Sequence, residues 1–301
     1  MYMSWGRYVK GFKAFLSIEK SLSKNSVEAY IRDVTKLTQF FEIHNLEPTP
    51  EEVNYNELRD FIQWINKMGV SARSQARIIS GIKAFYKYLL LEDLIQKDPT
   101  SLLESPKIGR KLPDTLSLEE IDLLINTIDL SKPEGQRNMA ILEVLYGCGL
   151  RVSELVDLKI SNIHLSSGYI KVSGKGNKER LVPIGGKAIK EINYYFENRA
   201  SFPKIERAYE NVVFLTRNGR KLSRVMIFKI VKNLVEKSGL KKNISPHTFR
   251  HSFATHLIDG GADLRAVQEM LGHESIITTE IYTHLDRDYL RSAIIEFHPR
   301  S

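Results

Sequence analysis

The chain has 301 residues, of which 42% are hydrophobic and 27% charged, with a net charge of +8 at pH 7. This length suffices for one large domain or two ordinary ones with a well-buried core. The cationic surplus favours a polyanionic partner, and the single cysteine excludes an internal disulfide framework. No apolar run approaches the ~18 residues of a membrane span, and the first residues lack a signal-peptide core, so we expect a soluble, cytoplasmic protein.

The first hundred residues show the apolar spacing of helices and no strand alternation. Helices are predicted near residues 5–18 and 58–68, and two more after Ser23 and Ser71. Residues 1–98 are therefore predicted to form an N-terminal four-helix bundle.

Residues 99–114 contain three prolines, a glycine and three cations. Proline stops a helix and biases the residue before it to extended backbone. This stretch is the predicted linker, and its cations either lie on phosphates or are simply solvated.

Residues 115–301 begin with the Ser-x-x-Glu spacing of a capping box at Ser117, and a mostly helical sequence follows. Two short β-prone runs, at 169–172 and 180–183, flank a turn rich in Gly and Asn, which predicts a hairpin. The run 211–215 is predicted to add a third strand. The fold class is therefore mainly α with two domains, the second an α+β domain with a small antiparallel sheet.

Two arginines have the chemistry of a phosphate clamp. Arg151 follows Gly147-Cys148-Gly149-Leu150, and Arg250 lies in Pro246-His247-Thr248-Phe249-Arg250. A guanidinium gives bidentate hydrogen bonds to phosphate oxygens and stays charged at any working pH. Taken alone, Arg151 also fits a surface position beside a helix that begins at Ser153, a candidate N-cap.

Imidazoles and a phenol accompany the arginines. Ser245-Pro246 predicts a helix start, so His247 and Arg250, three residues apart, can share one face of its first turn. A neutral His247 could accept a proton and a charged one could bind phosphate. His273 follows Gly272 at a predicted turn, whereas His251 and His256 are expected to pack or cap.

Several other kinds of site fail on spacing. A zinc-protease helix beginning at His273 would need histidine where Ile277 stands, and His247 with His251 lacks a third metal ligand. The segment around Lys175 lacks the ending of a phosphate-binding loop, and Val152 stands where a dinucleotide fingerprint requires glycine. We therefore expect no metal, no nucleotide and no other cofactor.

The ordered pattern of these residues resembles the tyrosine recombinase (phage integrase) family, and within it the bacterial Xer recombinases of the XerC/XerD type. The resemblance covers nearly the whole chain and rests on five positions in four segments: Arg151, His247, Arg250, His273 and Tyr282. It implies a DNA-binding domain over 1–98, a catalytic domain over 115–301, and a C-shaped clamp around duplex DNA.

The resemblance also implies the chemistry. Tyr282 would attack a phosphodiester and form a 3′-phosphotyrosine intermediate. The pKa of a free tyrosine is near ~10, so forming its phenolate at neutral pH costs about 4 kcal/mol, which nearby cations and a base must offset. The general acid would be Lys175 in the hairpin turn, with Lys178 as the competing candidate.

The Xer group further implies chromosome dimer resolution at cell division by a homo- or hetero-tetramer that contains a second Xer-type recombinase. A DNA translocase would activate it, and the C-terminal segment would pack into a neighbouring subunit. Two alternatives stay open: a type IB topoisomerase, which relaxes supercoils without pairing sites, and a non-catalytic DNA-binding module.

Overall fold

The computed structural model describes residues 3–107, 109, 114–174, 178–202, 204–272 and 284–301. The chain divides into two compact units, Met1–Lys111 and Leu112–Ser301. The division falls inside the predicted linker, although Leu103 is buried in the core of the N-terminal unit, which therefore extends beyond residue 98. None of the helices described is both long enough and apolar enough to cross a membrane.

Over residues 3–107 the N-terminal unit forms four helices, as the apolar spacing predicts. They are α1 (Met3–Ile18), α2 (Lys24–Ile43), α3 (Tyr55–Lys67) and α4 (Ala72–Leu91). Ser23 and Ser71 cap α2 and α4 by accepting backbone N–H bonds. Aromatic rings fill the core, with Phe85 in contact with both Trp5 and Phe12 at centroid distances of 5.9 and 5.3 Å.

A buried carboxylate joins α2 to α4. Asp33 on α2 accepts a bidentate pair of hydrogen bonds from Arg77 on α4, one of them 2.7 Å long. The two helices approach closely because residue 81 of α4 is glycine. A Cβ there would lie 2.7 Å from Asp33 Cβ and 2.9 Å from its Cγ.

The C-terminal unit is helical around one small sheet. Its helices are α5 (Leu118–Asn126), α6 (Gly135–Gly147), α7 (Val152–Val156), α8 (Gly186–Ala200), α9 (Arg224–Ser238), α10 (Pro246–Gly260), α11 (Leu264–Leu271) and α12 (His284–Phe297). From Ala140 to Gly147 every residue of helix α6 is buried, and most of them belong to the hydrophobic core. It ends at Gly147, four positions before Arg151.

The sheet is antiparallel, with strands β1 (Ile163–His164), β2 (Tyr169–Ser173) and β3 (Glu179–Pro183) in that order. The predicted hairpin is confirmed, with Ile170 opposite Val182. The strand predicted over 211–215 is wrong, because Val212 and Leu215 form only isolated bridges. That run is apolar because residues 213–215 are buried in the core, not because they belong to the sheet.

The close approach of α2 and α4 generates a first prediction. Gly81→Ala should lower the free energy of unfolding by about 1–3 kcal/mol, because overpacking against Asp33 outweighs the gain in helix propensity. Gly6→Ala in α1 is the matched control, since a Cβ there has nothing within 4 Å. Chemical denaturation of both variants checks this, and an unchanged or raised stability of Gly81→Ala would contradict it.

Candidate active site

Arg151 and Arg250 come together at one turn, although a hundred residues separate them. Arg151 donates from Nη2 to the carbonyl of Gly272 at 3.0 Å, and Arg250 donates to the carbonyl of Leu271. Arg250 also donates to the carbonyl of Gly149 at 2.7 Å. Both guanidiniums are therefore fixed to the turn that ends α11, immediately before position 273.

The two turns whose carbonyls accept hydrogen bonds from these arginines require glycine. Gly149 has φ +57°, and a Cβ there would lie 2.8 Å from an edge carbon of the Phe253 ring. Gly272 has φ +63° and caps α11 in the left-handed conformation. The carbonyls of both glycines consequently point at guanidiniums rather than continuing a helix.

A single buried carboxylate, Glu154, binds three guanidiniums. It accepts hydrogen bonds of 2.8 Å from Arg151 Nη1 and of 2.8 and 2.9 Å from Arg180, and Arg250 Nη1 lies 3.9 Å from its Oε2. Its Oε2 also accepts the backbone N–H of Arg151 at 2.8 Å. Arg151 is thus the N-cap of α7, and the prediction that Ser153 caps this helix is wrong.

The electrostatics of this cluster follow from burial and from the three cations. Burial acts to raise the pKa of Glu154, but hydrogen bonds from Arg180 and Arg151 outweigh it and hold that pKa below its ordinary value. Burial, followed by repulsion from Arg151 and Arg180, lowers the pKa of Arg250 to about 10. Arg250 therefore stays protonated at neutral pH, and one carboxylate among three guanidiniums leaves the cluster net positive.

His247 is exposed on the first turn of α10, while Arg250 on the same turn is buried. The imidazole is therefore accessible, while the guanidinium is fixed by backbone carbonyls. His256 is half-buried and shares a 2.7 Å hydrogen bond with the Tyr146 hydroxyl, as expected of a packing residue. Of the two roles expected for His251, packing or capping, the structure excludes packing, because this residue is exposed on α10.

Three of the predicted site residues, Lys175, His273 and Tyr282, lie outside the residues that the structure describes. Their neighbours are described. Gly174 donates its N–H to the carbonyl of Lys178 at 2.7 Å, which closes the base of the hairpin. Gly272 marks the start of the segment that carries the other two.

Two members of the cluster, Glu154 and Arg180, were not predicted from the sequence. Glu154 stands three residues after Arg151, a spacing that could have indicated a cap and an ion pair. Arg180 sits in a hairpin strand, where nothing local distinguishes it from a solvated cation. Within the described part of the chain, no group of three His, Cys, Asp or Glu residues is placed to hold a metal ion.

The chain is similar to known proteins along nearly its whole length. Residues 114–288 match the phage integrase family, and residues 9–93 match the phage integrase N-terminal SAM-like domain. The tyrosine recombinases XerD of Staphylococcus saprophyticus and Staphylococcus haemolyticus are each 41% identical to it over 293 residues, which is 97% of this chain and 99% of theirs.

Solved structures show the same fold. XerH recombinase bound to its difH substrate has a TM-score of 0.70 at 20% identity, covering 94% of this chain and 91% of that one. A lambda integrase dimer on a core site has a TM-score of 0.70 at 16% identity, covering 91% and 97%. The crystal structure of XerA recombinase is 30% identical with a TM-score of 0.50, covering 98% and 100%.

The buried carboxylate generates a prediction about pH. A group whose folded pKa is depressed stabilises the fold above its unfolded pKa, about 4.3 for Glu, and that stability is lost as pH falls through the folded pKa. Glu154→Gln should cost about 3–5 kcal/mol at neutral pH, because it leaves buried guanidiniums uncompensated. Its unfolding free energy should also fall less steeply than that of the unaltered chain below pH ~4.3.

The control is Glu179→Gln, which removes an exposed carboxylate paired with Lys171 on the same unit. It should change stability by less than about 1 kcal/mol. Denaturation curves collected from pH 7 downward test both variants, and parallel pH profiles for Glu154→Gln and the unaltered chain would refute the linkage.

Proposed function

The chain belongs to the phage integrase family, and we propose that it is a site-specific tyrosine recombinase that cuts and rejoins duplex DNA through a phosphotyrosine at Tyr282. The observation that carries the proposal is the cationic cluster around Glu154. Its two arginines from the predicted site, Arg151 and Arg250, bind the turn that leads into the segment with His273 and Tyr282.

In the proposed reaction the Tyr282 oxygen bonds to phosphorus, and the bond from phosphorus to the 5′-oxygen breaks. The phenol proton passes to His247 or another base, and Lys175 supplies a proton to the departing 5′-oxygen. Fixed cations stabilise the charge that develops on the non-bridging oxygens. Arg151, 35% exposed, can reach these oxygens directly, whereas Arg250 is nearly buried and acts mainly through its charge.

The second half of the reaction reverses the first. A 5′-hydroxyl attacks the phosphotyrosine, the DNA bond re-forms, and Tyr282 leaves with a proton. The covalent intermediate conserves the energy of the broken strand, so rejoining needs no nucleotide cofactor. His273 would support the phosphate in both directions.

The similarity to XerD proteins supports a finer proposal about biology. We assign the chain to chromosome dimer resolution at cell division in the cytoplasm, as part of a tetramer on two DNA sites. The second pair of subunits would be further copies of this chain or a paralogue, and a DNA translocase would activate them.

Tyr282→Phe is expected to abolish covalent attachment to DNA while leaving DNA affinity within about threefold, because it removes one oxygen and keeps the ring. The measurement is a denaturing gel of protein incubated with a nicked site that traps the intermediate, beside a mobility-shift titration. A denaturant-stable adduct formed by the variant would show that another residue attacks.

The unaltered protein, assayed in the same way, distinguishes a recombinase from the two alternative functions. Relaxation of any supercoiled plasmid, with no dependence on a site, would favour a type IB topoisomerase. Binding without an adduct from the unaltered chain on any site would favour a non-catalytic DNA-binding module.

The C-terminal segment packs on its own catalytic unit in this single chain. Leu290 and Ile294 of α12 are buried in the core, and His298 lies between the rings of Tyr146 and Phe253. Beyond the helix, the buried Arg300 donates to Glu143 and Asp122. We propose that in the tetramer these same contacts are made with a neighbouring subunit, since exchanging an identical element between protomers is a low-cost route to assembly.

Charge reversal tests that exchange. Arg300→Glu alone and Glu143→Arg alone should each recombine poorly, because like charges then meet at the contact in every subunit. An equimolar mixture should recombine faster than either variant alone, since an alternating tetramer restores opposite charges only across the subunit boundary. A mixture no faster than the better single variant would mean that the segment stays on its own subunit during recombination.

A further inference from the structure

Arg180 makes three hydrogen bonds to two other elements of the C-terminal unit. It lies on β3 and is 7% exposed. Its Nη1 and Nη2 donate to the two oxygens of Glu154 on α7 at 2.8 and 2.9 Å, and its Nε donates to the carbonyl of Met270 in α11 at 2.7 Å. All three nitrogens of the guanidinium are therefore engaged.

The base of the β2–β3 hairpin rests on this guanidinium. A Cβ at Gly174 would lie 3.7 Å from Arg180 Nη1 and 3.9 Å from Glu154 Oε1. Gly174 and Lys178 close the hairpin with a 2.7 Å hydrogen bond. Gly174, the last residue described before positions 175–177, therefore lies beside the ion pair.

The turn at the end of α11 also lies against the Arg180 side chain. A Cβ at Gly272 would lie 3.0 Å from Arg180 Cδ and 3.2 Å from its Nε. Gly272 is also the residue whose carbonyl receives Arg151. One side chain therefore fixes the hairpin relative to the arginines and to the turn that they bind.

Stability alone does not account for this arrangement. A buried ion pair is weak evidence for stability, because apolar residues of similar volume often stabilise a core as well. The pair also fixes orientation. Because the planar guanidinium makes three hydrogen bonds, it restricts the position of the hairpin relative to Glu154. In the sequence, Lys175 lies between the two strands of that hairpin.

We infer that Arg180 is a positioning residue, which holds the hairpin so that Lys175 can protonate the 5′-oxygen of the phosphodiester that Arg151 contacts and that Arg250 stabilises through its charge. The inference rests on the proposed function. It assigns to a residue remote from the reacting atoms a specific part of the reaction, protonation of the leaving group.

A substrate with sulfur in place of the 5′-bridging oxygen tests protonation of the leaving group separately from the other steps. A thiolate leaves without protonation because the pKa of a thiol, about 8.5, lies far below that of an alcohol. Single-turnover rates of adduct formation would be measured on the oxygen and sulfur substrates for Arg180→Lys, which keeps the charge and loses the fork, and for Arg180→Gln.

We expect both variants to lose about 10²-fold in rate on the oxygen substrate and less than about tenfold on the sulfur substrate, since general acid catalysis contributes about 10²–10⁴-fold. Lys175→Ala should be rescued in the same way. Arg151→Gln, which removes a phosphate contact, should lose equally on both substrates. Lys171→Gln is the matched control, an exposed cation of the same hairpin paired with Glu179, and should change neither rate.

The ratio of the two rates also keeps the test decisive if a variant folds poorly. Both rates come from one preparation, so a smaller folded fraction lowers the amplitudes and leaves the ratio unchanged. Equal losses on both substrates for Arg180→Lys and Arg180→Gln would overturn the inference. An unaltered chain that forms no adduct with either substrate would instead overturn the proposed function itself.

Discussion

The arrangement of the C-terminal unit depends on the ion pairs of one buried carboxylate, that of Glu154. It binds three guanidiniums that come from α7, β3 and α10. Two like charges 4 Å apart repel by about 4 kcal/mol at the effective dielectric near a protein surface. Burial and this repulsion together depress the pKa of Arg250. Without a central anion, these cations could not share one site.

Because the carboxylate and the glycine turns hold the cations in advance, the site is organised before any DNA arrives. Fixed cations stabilise developing charge without reorganising during the reaction, and such stabilisation usually contributes more to catalysis than any other single effect. Arg250 is itself nearly buried and is held by the carbonyls of Gly149 and Leu271.

The chain is also held on both sides of the segment 273–283. On the N-terminal side, Gly272 is bound by Arg151 and lies against Arg180. On the C-terminal side, α12 buries Leu290 and Ile294, His298 contacts two aromatic rings, and Arg300 forms ion pairs. Burial, followed by the charges of His256 and Arg300, lowers the pKa of His298 to about 3, so this anchor stays neutral at physiological pH.

The sequence by itself determined the class of fold and most of the candidate residues. Apolar spacing and caps such as Ser23, Ser71 and Ser117 are local, so helix positions follow from a few neighbouring residues. The strand predicted over 211–215 was wrong because an apolar run reads the same whether it pairs in a sheet or packs in a core. Likewise, Arg151 and Arg250 were identifiable, but their meeting at the Leu271–Gly272 turn was not.

Only the tertiary structure decided that Glu154 and Arg180 belong to the site. Both are charged residues, which are mostly exposed, and the three-residue spacing of Glu154 from Arg151 indicates no more than a local cap and ion pair. Their role comes from burial beside partners that are 26 to more than 90 residues away in the chain. Such contacts are set by the packing of whole elements around α6, and no local pattern carries that information.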